Sequence, residues 1–127
     1  MLEVGALSSR YGRIQALEGI DLEVAEGELV ALVGANGAGK STLLRAISGV
    51  QPSSGKIVFN GKDIGATSPE ARGALGIVQV PEGRQVFGPL SVEDNLRLGA
   101  YTRTRAESDA ELARVYAMFP ALQERRR

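Results

Sequence analysis

The run from Leu29 to Gly49, LVALVGANGAGKSTLLRAISG, limits what this chain can fold into more than any other segment. Leu29–Val33 is unbroken apolar, consistent with a strand covered on both faces. Ser41–Ser48 then places Leu43, Leu44 and Ile47 on one helical face, with Gly49 as the stop. Between them, Gly34-Ala35-Asn36-Gly37-Ala38-Gly39-Lys40-Ser41 fits G-x-x-x-x-G-K-[ST]. A triphosphate needs many hydrogen-bond donors at short range, with no bulky side chains in the way. Gly34, Gly37 and Gly39 let the backbone curl so that successive N–H groups point inward, and the helix aims its positive end at the same place. Lys40 adds a point charge for the β- and γ-phosphates, the Ser41 hydroxyl is placed to ligate Mg²⁺, and Thr42 can donate to the α-phosphate. The sequence therefore predicts a nucleotide site made of Gly34, Ala35, Asn36, Gly37, Ala38, Gly39, Lys40, Ser41 and Thr42.

The rest of the chain reads as strands first and helices last. Leu2-Glu3-Val4 begins a strand, and Ile20–Val24 alternates apolar and charged residues like a half-exposed one. Ala25–Glu28 and Pro52–Gly55 are turns. Lys56–Phe59 is a strand followed by Asn60-Gly61, the dipeptide of a tight hairpin turn. Ser68-Pro69-Glu70 caps a short helix, and Gly76–Val80 reads as a short buried strand. Pro81–Pro89 is a loop. Ser91-x-x-Asp94 opens a further helix, and Ala106–Phe119 is expected to be helical with Leu112, Val115, Tyr116 and Phe119 inward. The composition shifts near Leu90. The expected fold is α/β, with residues 1–90 as a phosphate-loop core carrying a β subdomain and residues 91–127 as the start of a helical one.

Composition removes several function classes. At 127 residues the length fits one domain. Fifteen basic residues balance fifteen acidic ones, so no nucleic-acid partner is expected. The closing Glu-Arg-Arg-Arg reads as solvated surface. With no Cys and no His, thiolate metal sites, disulfides and imidazole catalysis are out of reach. The apolar runs are too short to span a bilayer and no leader is evident, so the expected compartment is the cytoplasm.

GANGAGKSTLLRAISG, the upstream YGRIQALEGIDLEVAEGELVALVG and the hairpin segment PSSGKIVFNGKDI together resemble the ATP-binding subunits of ABC transporters. The resemblance implies ATP with Mg²⁺, and stacking of Tyr11 on the adenine. It covers nearly the whole chain but only the first half of the family's catalytic domain. The family goes on to an LSGGQ-type signature, an apolar strand ending in Asp-Glu and a switch histidine, none of which occurs here. The expectation is thus a truncated piece of an incomplete domain, with no catalytic residue of its own.

The family also carries a Gln that senses the γ-phosphate. Phe87, Leu90-Ser91-Val92 and Asp94-Asn95-Leu96 fix a register that puts Glu82, not Gln79, at that position; Gln79 then belongs to the preceding strand. Glu82 is either a metal-side ligand acting through a Mg²⁺-bound water or an exposed loop carboxylate. VPEGRQVF, Val80–Phe87, resembles the subgroup serving branched-chain amino acid importers, whereas urea-type relatives more often have Gln there. The resemblance implies a second ATPase subunit (identical or not), membrane permease subunits, an indirect substrate-binding protein, and a peripheral position on the inner face of the membrane. Phe87 and Leu90 are the expected permease-docking residues, unless Phe87 plugs a seam between subdomains. Two other readings stand beside the importer: a nucleotide-binding module without hydrolysis, and a soluble ABC-type ATPase acting on ribosomes or in DNA repair.

Overall fold

Strand β1 (Leu2–Tyr11) carries one irregularity that shapes the sheet built on it. Val4 and Leu7 are an odd number of residues apart, so an unbroken pleat would turn them to opposite faces. Both are buried. The pairing register shifts between them, and Ala6 takes a φ of 47°. This bulge returns Leu7, and after it Ser9, to the face of Val4. The Ala6 N–H donates to Asp21 Oδ1 at 2.8 Å. Gly55 is required opposite: a Cβ there would lie 2.5 Å from the Ala6 carbonyl oxygen.

The computed structural model describes residues 1–35, 37 and 39–127, in two units, Met1–Val80 and Pro81–Arg127. In the first, β1 lies between β2 (Ile14–Val24) and β3 (Ser54–Phe59), and β4 (Lys62–Asp63) completes an antiparallel sheet of order β2-β1-β3-β4. The β3–β4 turn has positive φ at both Asn60 and Gly61 (49° and 81°), the conformation predicted for that dipeptide. Helix α1 (Lys40–Ser48) sets Leu43, Ala46 and Ile47 into a core with Val4, Leu7, Leu17, Ile57 and Ile64. Full burial of each large aliphatic side chain here contributes roughly 1.5–3 kcal/mol. Leu44 does not join the core as predicted and is exposed, because adjacent helical residues point about 100° apart. Helix α2 (Pro69–Leu75) starts as its sequence implies, with Ser68 Oγ accepting from the Ala71 N–H, and stops at left-handed Gly76.

Two predicted strands are not strands here. Leu29–Val33 and Gly76–Val80 form no ladder, and Leu29, Val33 and Val80 are 97%, 90% and 88% exposed. The apolar run fits burial, but a strand also needs neighbours for its N–H and C=O groups. Among the described residues no strand supplies them.

The second unit holds α3 (Val92–Leu98), α4 (Arg105–Met118) and α5 (Pro120–Glu124). Ser91 caps α3, accepting from the Asp94 N–H and donating to Asp94 Oδ2. Arg97 joins Glu93 on its own helix to Asp109 on α4. Its pKa is raised chiefly by the hydrogen bond to Asp109, then by that to Glu93. Tyr116 is buried, with Leu112 and Val115 partly so. Phe119, predicted to face inward, is the C-cap of α4 and is exposed; its backbone has left helical geometry, so the helical periodicity no longer sets its direction. No helix among the described residues is long and apolar enough to cross a membrane.

The α4 cap generates a pH prediction. Thr104 and Glu107 form a reciprocal capping box, and the Thr104 backbone N–H, then its hydroxyl, hold the Glu107 carboxyl below its ordinary 4.5. A depressed folded value means that the stabilisation is present above the unfolded value and is lost as pH falls through the folded one. The melting temperature of the helical unit should therefore fall on acidification below 4.5, and fall less in Glu107→Gln, which keeps an acceptor but cannot titrate. Equal acid sensitivity in both, followed by circular dichroism, would remove Glu107 from the account.

Candidate functional site

Helix α1 opens at Lys40 behind Gly39, which is left-handed (φ 92°, ψ 7°) and provides no side-chain cap. The first turn of any helix leaves N–H groups without intrahelical partners, and glycine has no oxygen to answer them. Among the described residues the start of α1 thus has no side-chain cap, and its positive terminus suits an anion. Lys40 is folded back over that loop, its Nζ donating to the Gly34 carbonyl. Gly37 also has positive φ (84°). Gly34, Ala35 and Ser41 are exposed, whereas Thr42 is buried. The predicted site residues Asn36 and Ala38 lie outside the described residues.

Gly39 is pressed against the β-hairpin. A Cβ on Gly39 would come 2.7 Å from the Ala16 carbonyl oxygen and 2.8 Å from Leu17 Cδ2. Ala16 follows Ile14 by two residues, and Ile14 pairs with Tyr11 at the end of β1. The loop therefore meets β2 about 7 Å along the strand from the Tyr11–Ile14 pair. Tyr11 is 44% exposed, on the hairpin against which Gly39 packs.

The far end of α1 is closed. Arg72, buried at 4% exposure, donates through Nη1 to the Ala46 and Ile47 carbonyls, both at 2.9 Å. Its Nε and Nη2 donate to Thr67 and Gly65. Burial lowers its pKa, but a guanidinium stays charged in proteins. A cation suits the negative end of a helix, and Arg72 also ties the segment after β4 to α1. Sequence reasoning missed it, because a lone arginine in a short helix carries no spacing signal. Ser48 Oγ meets Gln79 Oε1 at 2.9 Å. Gln79 is thus anchored to the end of α1 rather than carried in the expected strand.

In the second unit, Glu82 is exposed, and its carbonyl accepts from Gln85 Nε2 at 3.4 Å. Phe87 and Leu90 are exposed, at 61% and 42%. Asn95 staples the segment between them: Oδ1 accepts from the Phe87 N–H, and Nδ2 donates to the carbonyls of Phe87, Leu90 and Ser91. Asn95 served in the sequence only to fix a register; its bracket shows up once the loop is folded back on α3. Among the described residues, no cluster of three or more carboxylates could hold a metal ion. A Mg²⁺ here would need phosphate oxygens and water to complete its shell, as is usual for this ion. The uncapped terminus and the glycine against Ala16 fit a phosphate chain, and the exposed Ser41 fits a hydroxyl ligand to its metal.

Gly39→Ala should lower the unfolding free energy by about 1–3 kcal/mol, since the new Cβ adds a backbone clash to left-handed strain. Gly37→Ala, with nothing within 4 Å of its Cβ, should cost about 1–2 kcal/mol from strain alone. Urea unfolding compares the two; a larger loss at Gly37 would contradict the packing of the loop on β2.

The sequence pattern of the ABC transporter family matches residues 17–126. The chain is 41% identical over 126 residues to the high-affinity branched-chain amino acid transport ATP-binding protein BraG of Pseudomonas aeruginosa, covering 98% of this chain and 54% of that protein. It is 36% identical over 123 residues to a branched-chain amino acid transport ATP-binding protein, LivF, of Archaeoglobus fulgidus, covering 96% and 52%. ATP-binding proteins of Fe(3+) and hemin importers match it too. A solved ATP-binding subunit of an ABC transporter superposes with a TM-score of 0.79 at 34% identity, covering 99% of this chain and 52% of that one. The chain thus spans about half the length of these relatives. A match of that extent, running through the loop at the head of α1, makes the chain a member of the ABC transporter family.

Proposed function

We propose that this chain is the nucleotide-holding part of an ABC importer's ATP-binding subunit, serving branched-chain amino acids. The observation that carries the reading is the uncapped start of α1 behind Gly39, with Lys40 over the glycine loop and the hairpin of Tyr11 beside it. The backbone N–H groups of Lys40, Ser41 and Thr42 would bind the phosphates, and Lys40 would leave the Gly34 carbonyl for the β- and γ-oxygens. The Ser41 hydroxyl would take a Mg²⁺ position, with Glu82 on the metal side, and Tyr11 would stack on the adenine. When bound, MgATP supplies the phosphoryl group whose hydrolysis drives transport. Residues 1–90 would form the core and residues 91–127 the opening of a helical subdomain. Leu29–Val33 and Gly76–Val80, largely exposed and without a ladder partner among the described residues, would become strands beside segments in the length of the relatives that this chain does not cover.

The finer substrate assignment rests on Val80–Phe87 and on the similarity to the two branched-chain amino acid transport ATP-binding proteins. A urea- or amide-type importer is the alternative within the same family. The intact protein would work as a pair of ATPase subunits on membrane permeases at the inner face of the membrane. The chain of 127 residues would bind without turning over, since the resemblance assigns the water-orienting carboxylate, the switch histidine and the signature to family segments outside this sequence.

Calorimetry with MgATP should show weak binding that drops at least about tenfold, or 1.4 kcal/mol, in Lys40→Ala; equal affinity would sink the phosphate site. A phosphate-release assay on the chain should stay at background. Release that disappears in Glu82→Gln would make Glu82 the base and reverse its metal-side role.

Phe87 and Leu90 are apolar and exposed on a loop stapled by Asn95, which suits a docking surface for a short cytoplasmic helix of the permease. In the full-length protein, Phe87→Ser should lose permease assembly while keeping its fold and ATP affinity. Retained assembly with a collapsed melting temperature would instead make Phe87 a packing residue.

A further inference from the structure

Gln51 is a polar residue buried at 8% exposure just beyond α1, where nothing about phosphate binding demands it. Its two N–H donors go to two different elements. The backbone N–H donates to the Arg45 carbonyl on α1 at 3.1 Å. The side-chain Nε2 donates to the Arg10 carbonyl on β1, also at 3.1 Å. That carbonyl belongs to the peptide group joining Arg10 to Tyr11. Beside it, Ser9 Oγ donates to the Pro52 carbonyl at 2.7 Å. The Arg10 guanidinium reaches the Arg13 carbonyl and Gln15 Oε1 across the hairpin tip, so it ties the tip within the hairpin. The Gln51–Pro52 corner is thus a hydrogen-bonded strut from α1 to the last peptide before Tyr11.

We propose that Gln51 is a positioning residue for base recognition: it sets the Tyr11 ring relative to the phosphate helix and thereby converts triphosphate binding into adenine-nucleotide binding. This rests on the reading of Tyr11 as the adenine platform. The physical case is geometric. Tyr11 ends β1 at a two-residue turn, and a strand end that lacks a lateral tie frays. A stacking ring must hold its plane and distance to gain its energy, and base–aromatic stacking is worth about 1–3 kcal/mol. The amide of Gln51 removes rotation of the peptide unit just before the ring. Burial makes that bond costly to break, because the buried Gln51 amide would lose its partner. The bond also runs to the same helix whose opposite end meets the phosphates, so base and phosphate subsites share one rigid reference.

The test compares MgATP with inorganic tripolyphosphate, which has the phosphates and no base, by calorimetry on the whole chain. Gln51→Met keeps the bulk and removes the donor. It should weaken MgATP about 5-fold, within the range that stacking supplies, and leave tripolyphosphate unchanged. In a Tyr11→Ala background, Gln51→Met should bring no further loss for either ligand, a non-additivity that a merely structural role would not produce. Equal weakening of both ligands by Gln51→Met, or additive losses with Tyr11→Ala, overturns the positioning role. If Tyr11→Ala alone leaves the preference for MgATP over tripolyphosphate intact, the adenine-platform reading fails and takes this inference with it. That result is distinct from an intact Tyr11 effect with a silent Gln51, which overturns the inference alone. Should Gln51→Met not fold, Ser9→Ala, which cuts the adjacent tie to Pro52, carries the same test with the same expected selectivity.

Discussion

Helix α1 is closed by hydrogen bonds at one end and, among the described residues, has no side-chain cap at the other, and the first unit is organised around that asymmetry. At the C-terminal end the Arg45, Ala46 and Ile47 carbonyls accept from Gln51, Ser48, Gly49 and Arg72. Along its side, Leu43, Ala46 and Ile47 lock it to the sheet. At the N-terminal end the cap is a glycine. A short helix fixed this firmly holds its first-turn N–H groups in place, and a positive helix end suits an anion.

The bulge at Ala6 makes the rest of the arrangement possible. Without it, Val4 and Leu7 could not share the face that enters the core with Leu43, Ala46 and Ile47 of α1. The extra residue also increases local twist. The far end of β1 then reaches the corner beyond α1, where Ser9 meets Pro52 and the Arg10 carbonyl meets Gln51. One backbone irregularity thus serves the core at one end of the strand and the hairpin of Tyr11 at the other.

What the sequence could disclose follows from how local each feature is. Asn60-Gly61, Ser68-Pro69 and Ser91-x-x-Asp94 act through their own backbone, and all three form as the residue types imply. The helix behind the glycine loop was legible for the same reason, as was the family to which the chain belongs. Leu29–Val33 and Gly76–Val80 were not, because apolar character predicts burial while strand formation depends on a partner elsewhere. Leu44 and Phe119 failed for smaller causes, a step of helical phase and a helix end. Arg72, Gln51 and Asn95 act on carbonyls or amides of residues brought close only by folding, and no spacing along the chain announces them.

The claim most worth exposing to failure is that the open end of α1 is where phosphate goes. Backbone amide chemical shifts, followed by NMR while MgATP is added to the chain, test it residue by residue. The account predicts that the amides of Gly39, Lys40, Ser41 and Thr42 move first and furthest, with Tyr11 following, while those of α2, Pro69–Leu75, stay in place. Saturable binding that leaves the Gly39–Thr42 amides unmoved would contradict it.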